Sequence, residues 1–61
     1  MDVSTILTDL RKEKGISRRE LSYLCDVSEP SLLNYENGIH SPSITILSKI
    51  LKVYGKELTI L

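Results

Sequence analysis

The chain has 61 residues, of which 41% are hydrophobic and 26% charged, so we expect one small globular domain and not a disordered segment. Eight Lys and Arg balance eight Asp and Glu, and this zero net charge by itself gives no sign of a nucleic-acid partner. Cys25 is the only cysteine and no long apolar run occurs, which excludes an internal disulfide, fits a reducing cytoplasmic compartment and predicts neither a signal peptide nor a membrane span.

Two helices are predicted in the first half of the chain. The apolar positions of the first follow the helical period: Val3, Ile6, Leu7 and Leu10. Gly15 ends it, and Ser17 with Glu20 then forms a capping box that starts a second helix at about residues 18–25. Its predicted buried side holds Leu21, Leu24 and Cys25. Asp26 ends this helix, because Asp tolerates the left-handed conformation of a turn.

A third helix is predicted at about residues 29–36. Ser28 can cap it, and Pro30 is tolerated because N–H groups in a first turn lack partners within the helix. Gly38 follows its end. The predicted core side consists of Leu32 and Tyr35. The positions left facing outward are mostly small or polar: Ser28, Glu29, Pro30, Ser31, Leu33 and Asn34.

Pro42 and Ser43 open a fourth helix, which Gly55 terminates. Its apolar residues cover about half of the circumference, more than one small core needs. Residues 56–61 alternate like a β-strand that has no partner in the chain, and an unpaired strand edge favours a second copy of itself. We therefore expect a homodimer whose interface includes Ile46, Ile50, Val53, Leu58 and Ile60.

The predicted fold class is all-α, a single domain over residues 1–61 with four helices in a compact bundle and a short C-terminal β-strand at about 56–61. The tight connection around Asp26 would project the third helix outward, in a shape that fits the major groove of DNA. Five of the six charged residues between Arg11 and Arg19 are basic, which predicts a local basic patch.

Five stretches together match one known pattern: residues 10–17, 20–22, 27–28, 35–38 and 42–43. In them the sequence resembles the lambda-repressor-like helix-turn-helix regulators of the Cro and XRE type, from Ile6 to Tyr54. Asp26 stands where that family usually has a turn glycine. The tail KELTIL resembles the C-terminal strand of HipB-like antitoxins, which pairs with its twofold mate.

The resemblance implies which residues contact the DNA backbone and which contact the bases. Ser28 and Asn37 would bind DNA phosphates. Arg18 occupies a position where a glutamine of the family commonly contacts the DNA backbone, so Arg18 would bind a phosphate there. Base reading would fall to residues near the start of the third helix: Glu29, Pro30, Ser31 and Asn34, with Leu33 or Pro30 against a thymine methyl. The resemblance also implies a partly buried ion pair, Arg11 with Glu36, that ties the first helix to the third.

Three residues of this surface have a second interpretation. Arg19 is either a DNA contact or a solvated surface residue, and Glu29 is either a base reader or an acid favoured by the helix dipole. His40 lies in the loop after Gly38 without a second ligand at metal spacing, so we expect an exposed residue near DNA and no metal. No catalytic motif or cofactor-binding loop occurs, so neither an enzyme nor a cofactor is predicted.

The sequence thus predicts a sequence-specific transcriptional regulator, a repressor that binds a palindromic operator as a dimer. One module with few basic residues should bind weakly at physiological salt, and a second half-site adds affinity. The first alternative is an antitoxin that autoregulates its operon and binds a partner toxin, which the C-terminal strand supports. The second is a protein-interaction module that has lost DNA binding, which the zero net charge and the apolar fourth helix support.

Overall fold

Four helices joined by short connections make up the computed structural model, which describes residues 2–58. They are α1 (Val3–Lys14), α2 (Arg18–Cys25), α3 (Glu29–Glu36) and α4 (Ile44–Val53). The all-α prediction is confirmed. The predicted C-terminal strand is not seen, since residues 56–58 have no regular secondary structure and residues 59–61 lie outside the described part of the chain.

The helices begin at capping side chains. Ser17 Oγ accepts a hydrogen bond from the Glu20 N–H at 3.0 Å, and Glu20 Oε1 accepts one from the Ser17 N–H at 3.2 Å. This reciprocal pair is the predicted capping box. The other three helices are capped by Asp2, Ser28 and Ser43. Each cap satisfies an N–H group that has no partner inside its helix.

The connection between α2 and α3 is three residues long and depends on a left-handed residue. Asp26 has φ 57° and ψ 40°, and it is the only non-glycine residue with positive φ among residues 2–58. Val27, the next residue, is buried. The reversal at Asp26 followed by this apolar anchor sets the direction in which α3 leaves α2.

The core lies where α3 meets α1 and α2, and where α2 meets α4. Its buried apolar residues are Leu7, Leu21, Cys25, Val27, Leu32 and Ile50. The prediction that Leu24 belongs to this side is wrong, because Leu24 is 53% exposed. Leu21 and Cys25 lie four residues apart on one face of α2, and Leu24 lies beside that face, next to Lys49 and Lys52 of α4.

The residues predicted for the dimer interface differ in their surroundings. Ile50 is 0% exposed inside its own domain, so it has no surface to offer a partner, and that part of the prediction is corrected. Ile46 and Val53 are partly buried against the core, Leu58 is exposed, and Ile60 lies outside the described residues. None of the helices in residues 2–58 has the length and hydropathy needed to cross a membrane.

Candidate nucleic-acid interface

The first turn of α3 stands clear of the core. Leu32 is buried against the rest of the domain, whereas Ser28, Glu29 and Pro30 are exposed. Leu33 lies on the outer side of the helix and is also exposed. The N-terminal half of α3 therefore presents a convex surface that a DNA groove can receive.

The start of α2 and the start of α3 share one open groove of about 410 Å³. It is lined by Ser17, Arg18, Arg19, Glu29, Pro30 and Leu33. The predicted phosphate-binding residue Arg18 thus lies on the same surface as three of the residues predicted to face the bases. Basic side chains come from α2, and the apolar and acidic ones come from α3.

Ser28 and Ser31 form a local pair at the start of α3. Ser28 Oγ accepts from the Ser31 N–H at 3.3 Å, and the two hydroxyl oxygens are hydrogen-bonded at 2.7 Å. Because one hydroxyl proton is used between them, the pair keeps one proton for an outside acceptor such as a phosphate or a base. Ser31 is half-buried, and the position of its hydroxyl is linked to that of Ser28 by this hydrogen bond.

The other end of α3 carries the remaining predicted contacts. Asn37 follows the helix with φ −90° and is exposed, as is His40 in the next loop. The Asn34 carbonyl accepts from the Ile39 N–H at 2.9 Å and thereby folds the loop back on α3. An eight-residue helix is about 12 Å long, which is close to the width of the major groove of DNA, and Ser28 and Asn37 lie at its two ends.

A cluster of three charged side chains ties α1, α2 and α3 together beneath this surface. Arg11 donates from Nε to Glu36 Oε2 at 2.8 Å and from a terminal nitrogen, Nη2, to Oε1 at 3.0 Å. This is the ion pair that the family resemblance implies, and its hydrogen bond raises the pKa of Arg11. Arg18 joins the same carboxylate, donating from Nε to Oε1 at 3.1 Å.

Sequence reasoning did not find the contact between Arg18 and Glu36. The two residues are 18 positions apart, and no local pattern relates the start of one helix to the end of the next. The predicted basic patch is also smaller than its composition suggests, because Arg11 is turned inward to Glu36 and to the carbonyl of Ile16. Among residues 2–58, no group of His, Cys, Asp and Glu is placed to hold a metal ion.

Comparison with known proteins places these features in a family. The family model described as Helix-turn-helix matches residues 7–61. A putative HTH-type transcriptional regulatory protein of Aeropyrum pernix is 36% identical over 52 residues, which make up 85% of this chain and 16% of that protein. The HTH-type transcriptional regulator PuuR of Escherichia coli is 34% identical over 53 residues, 87% of this chain and 29% of the relative.

The chain thus spans less than a third of the length of these two relatives. An uncharacterized HTH-type transcriptional regulator of Methanothermobacter thermautotrophicus is closer in size, with 30% identity over 53 residues that cover 87% of this chain and 77% of that protein. No solved structure matches the chain. With nearly its whole length matched, the chain belongs to the helix-turn-helix family, of the Cro and XRE type that its sequence resembles.

Proposed function

We propose that the chain is a sequence-specific double-stranded DNA-binding module of a transcriptional regulator, and that α3 enters the major groove. The observation that carries this proposal is the exposed first turn of α3, which shares a groove with Arg18 and Arg19 at the start of α2. Relatives named as HTH-type transcriptional regulators support it. In this arrangement α2 contacts the backbone while α3 reads base edges.

Two sets of residues perform these tasks. The backbone set comprises Arg18, Arg19, Ser28, Asn37 and His40. The base-facing set comprises Glu29, Pro30, Ser31, Leu33 and Asn34. Asn34 can pair bidentately with adenine, Glu29 can accept from cytosine N4, and Leu33 can contact a thymine methyl.

The regulator acts, in this proposal, as a dimeric repressor that occupies a palindromic operator. The zero net charge supports dimerisation, because one module gains little affinity from counterion release. Apolar side chains at the surface of α4 and the C-terminal tail, Ile44 and Leu58, could form the contact together with the outer edges of Ile46 and Val53. Ile50 is not part of it.

A titration with random-sequence duplex DNA at low salt tests DNA binding, and selection from a random pool then yields the operator. Asn34→Ala should relax the preference at one base position, at a cost of about 1–3 kcal/mol for the native operator. Arg18→Ala should weaken all duplexes alike and reduce the salt slope by about 1. If both variants changed affinity in the same way, the division into backbone and base-facing sets would be wrong.

A second candidate function, a protein-interaction module without DNA binding, is favoured by one feature of α2. Tyr23 is 89% exposed and Leu24 beside it is more than half exposed. The same low-salt titration separates the two functions, because a module without electrostatic affinity for DNA cannot read it. The antitoxin alternative stays a prediction, since the tail on which it depends lies partly outside the described residues.

A further inference from the structure

We infer that Glu36 is a positioning residue for the DNA backbone contact: it holds Arg18 by Nε and leaves the two terminal Nη groups of Arg18 for a phosphate. This inference rests on the proposed DNA-binding function and adds how the contact between Arg18 and a phosphate is prepared within the protein. The observation that carries it is the shared carboxylate, with Arg11 and Arg18 both donating to Glu36 Oε1 at 3.0 and 3.1 Å.

The cluster has one positive charge more than its internal pairing can neutralise. Two guanidinium groups, which stay protonated in proteins, face one carboxylate whose side chain is 1% exposed. Unbalanced charge at the edge of a buried network favours an anion at that edge. A DNA phosphate is the anion that the neighbouring surface of α3 would bring there.

Only one of the two arginines can present this excess charge. Arg11 donates to Glu36 from Nε and Nη2 and to the Ile16 carbonyl from Nη1, so every nitrogen of its guanidinium is engaged. The Arg18 side chain is 36% exposed and lines the open groove. Within residues 2–58 its Nη groups make no hydrogen bond, so they are the donors that a phosphate would meet.

Holding Nε also lowers the entropic cost of binding. A free surface arginine loses most of its rotamer freedom when it contacts a phosphate, whereas Arg18 is already fixed by Glu36. The guanidinium makes this possible because its donors lie on separate nitrogen atoms in a rigid plane. A lysine has its three donors on one nitrogen at the end of a flexible chain, so it cannot hold Glu36 with one edge of a rigid plane and a phosphate with another.

The test is Arg18→Lys, titrated with a random-sequence duplex over a series of salt concentrations. We expect its affinity to fall about tenfold although the net charge is unchanged. The slope of log K against log salt should become shallower by about 0.9, the value for one lost phosphate contact. Arg19→Lys is the comparison, and it should lose less because the salt bridges within residues 2–58 involve Arg11 and Arg18 and not Arg19.

A double-mutant cycle identifies Glu36 as the cause. Glu36→Gln should weaken DNA binding in the native chain and have much less effect in the Arg18→Lys variant. Thermal unfolding of each protein shows whether it is folded at the temperature of the titration. If Glu36→Gln does not fold, the difference between Arg18→Lys and Arg19→Lys decides, because Glu36 holds Arg18 and not Arg19.

Two results would overturn the inference, and they differ in what else they remove. If Arg18→Lys bound DNA with the same affinity and the same salt slope as the native chain, charge alone would account for the contact. The inference would then be wrong, but the proposed DNA binding would stand. No binding of random duplex by the native chain at low salt would remove the proposed function and the inference together.

Discussion

The hydroxyl of Tyr54 is the one side-chain polar atom within residues 2–58 that is buried without a hydrogen-bond partner. Burial raises the pKa of Tyr54 from its ordinary value of 10.0, and the nearby charge of Glu36 raises it further. Burial likewise raises the pKa of the Cys25 thiol from 9.0. Both groups are therefore held in their neutral forms by the fold.

These shifts predict a loss of stability in alkaline solution. A group whose folded-state pKa lies above its unfolded value contributes its full stability below the unfolded pKa and loses it as the pH rises further. For Cys25 and Tyr54 the loss begins above about pH 9 and pH 10 respectively. Urea unfolding measured from pH 7 to about pH 10.5 checks this, and a free energy of unfolding that rose over the range would contradict it.

Tyr54→Phe isolates the contribution of the tyrosine. Removing an unpaired buried hydroxyl should raise the free energy of unfolding at pH 7 by up to about 1 kcal/mol. It should also reduce the loss of stability in alkaline solution, so that only the loss caused by ionisation of Cys25 remains. Tyr23→Phe is the matched control, because Tyr23 is almost fully exposed and the same deletion there should change stability little. Marked destabilisation by Tyr54→Phe would show that the hydroxyl makes a favourable contact.

Signals that lie within one turn of a helix could be predicted from the sequence. The end at Gly15, the capping box at Ser17 and Glu20, the turn at Asp26 and the cap at Ser28 all depend on hydrogen bonds or backbone angles between near neighbours. Each residue type has a physical preference for its position, independent of the rest of the fold. The helix boundaries therefore follow from the sequence.

Features that depend on how the helices meet could not be predicted in this way. Leu24 has the spacing of a core residue, but a two-turn helix buries only the face that its neighbours cover, and Leu24 lies outside it. The pairing of Arg18 with Glu36 joins two helices, as does the complete enclosure of Ile50.

The exposure of the first turn of α3 was predictable because Leu32 and Tyr35 supply the core side of that helix. Ser31 and Asn34, which were predicted to face outward as well, are half-buried.

The connection between α2 and α3 is strained at a defined residue, which gives a test at the scale of the element. Asp26 occupies the left-handed region at φ 57°, where a residue with a Cβ is less stable than glycine. Asp26→Gly should therefore stabilise the folded state by up to about 1 kcal/mol in urea unfolding, after allowance for the greater freedom of glycine in the unfolded chain.

Asp26→Asn is the control for the loss of charge, because Asn also tolerates the left-handed conformation. It should leave stability close to that of the native chain. Gly15→Ala tests the converse at φ 72°, where nothing lies within 4 Å of an added Cβ, so its cost of about 1 kcal/mol would come from the backbone alone. A destabilising Asp26→Gly would mean that the Asp side chain supports the turn.

At the scale of the whole molecule, the central question is whether one module suffices for DNA binding. The domain is small, its net charge is zero, and every guanidinium nitrogen of Arg11 is engaged in an internal hydrogen bond. Few positive charges are left to release counterions from DNA, so binding by a single module should be weak at physiological salt. Two modules joined as a dimer would bind a palindrome more tightly without any new type of contact.

Deletion of residues 57–61 tests this coupling. If the tail contributes to the dimer, sedimentation equilibrium should show a shift towards monomer, and the truncated chain should lose its preference for a full palindrome over a single half-site. Binding of random duplex at low salt should persist, because Arg18 and the start of α3 are retained. Unchanged sedimentation would remove the tail from the interface and leave the surface of α4 around Ile44 as the place where two modules meet.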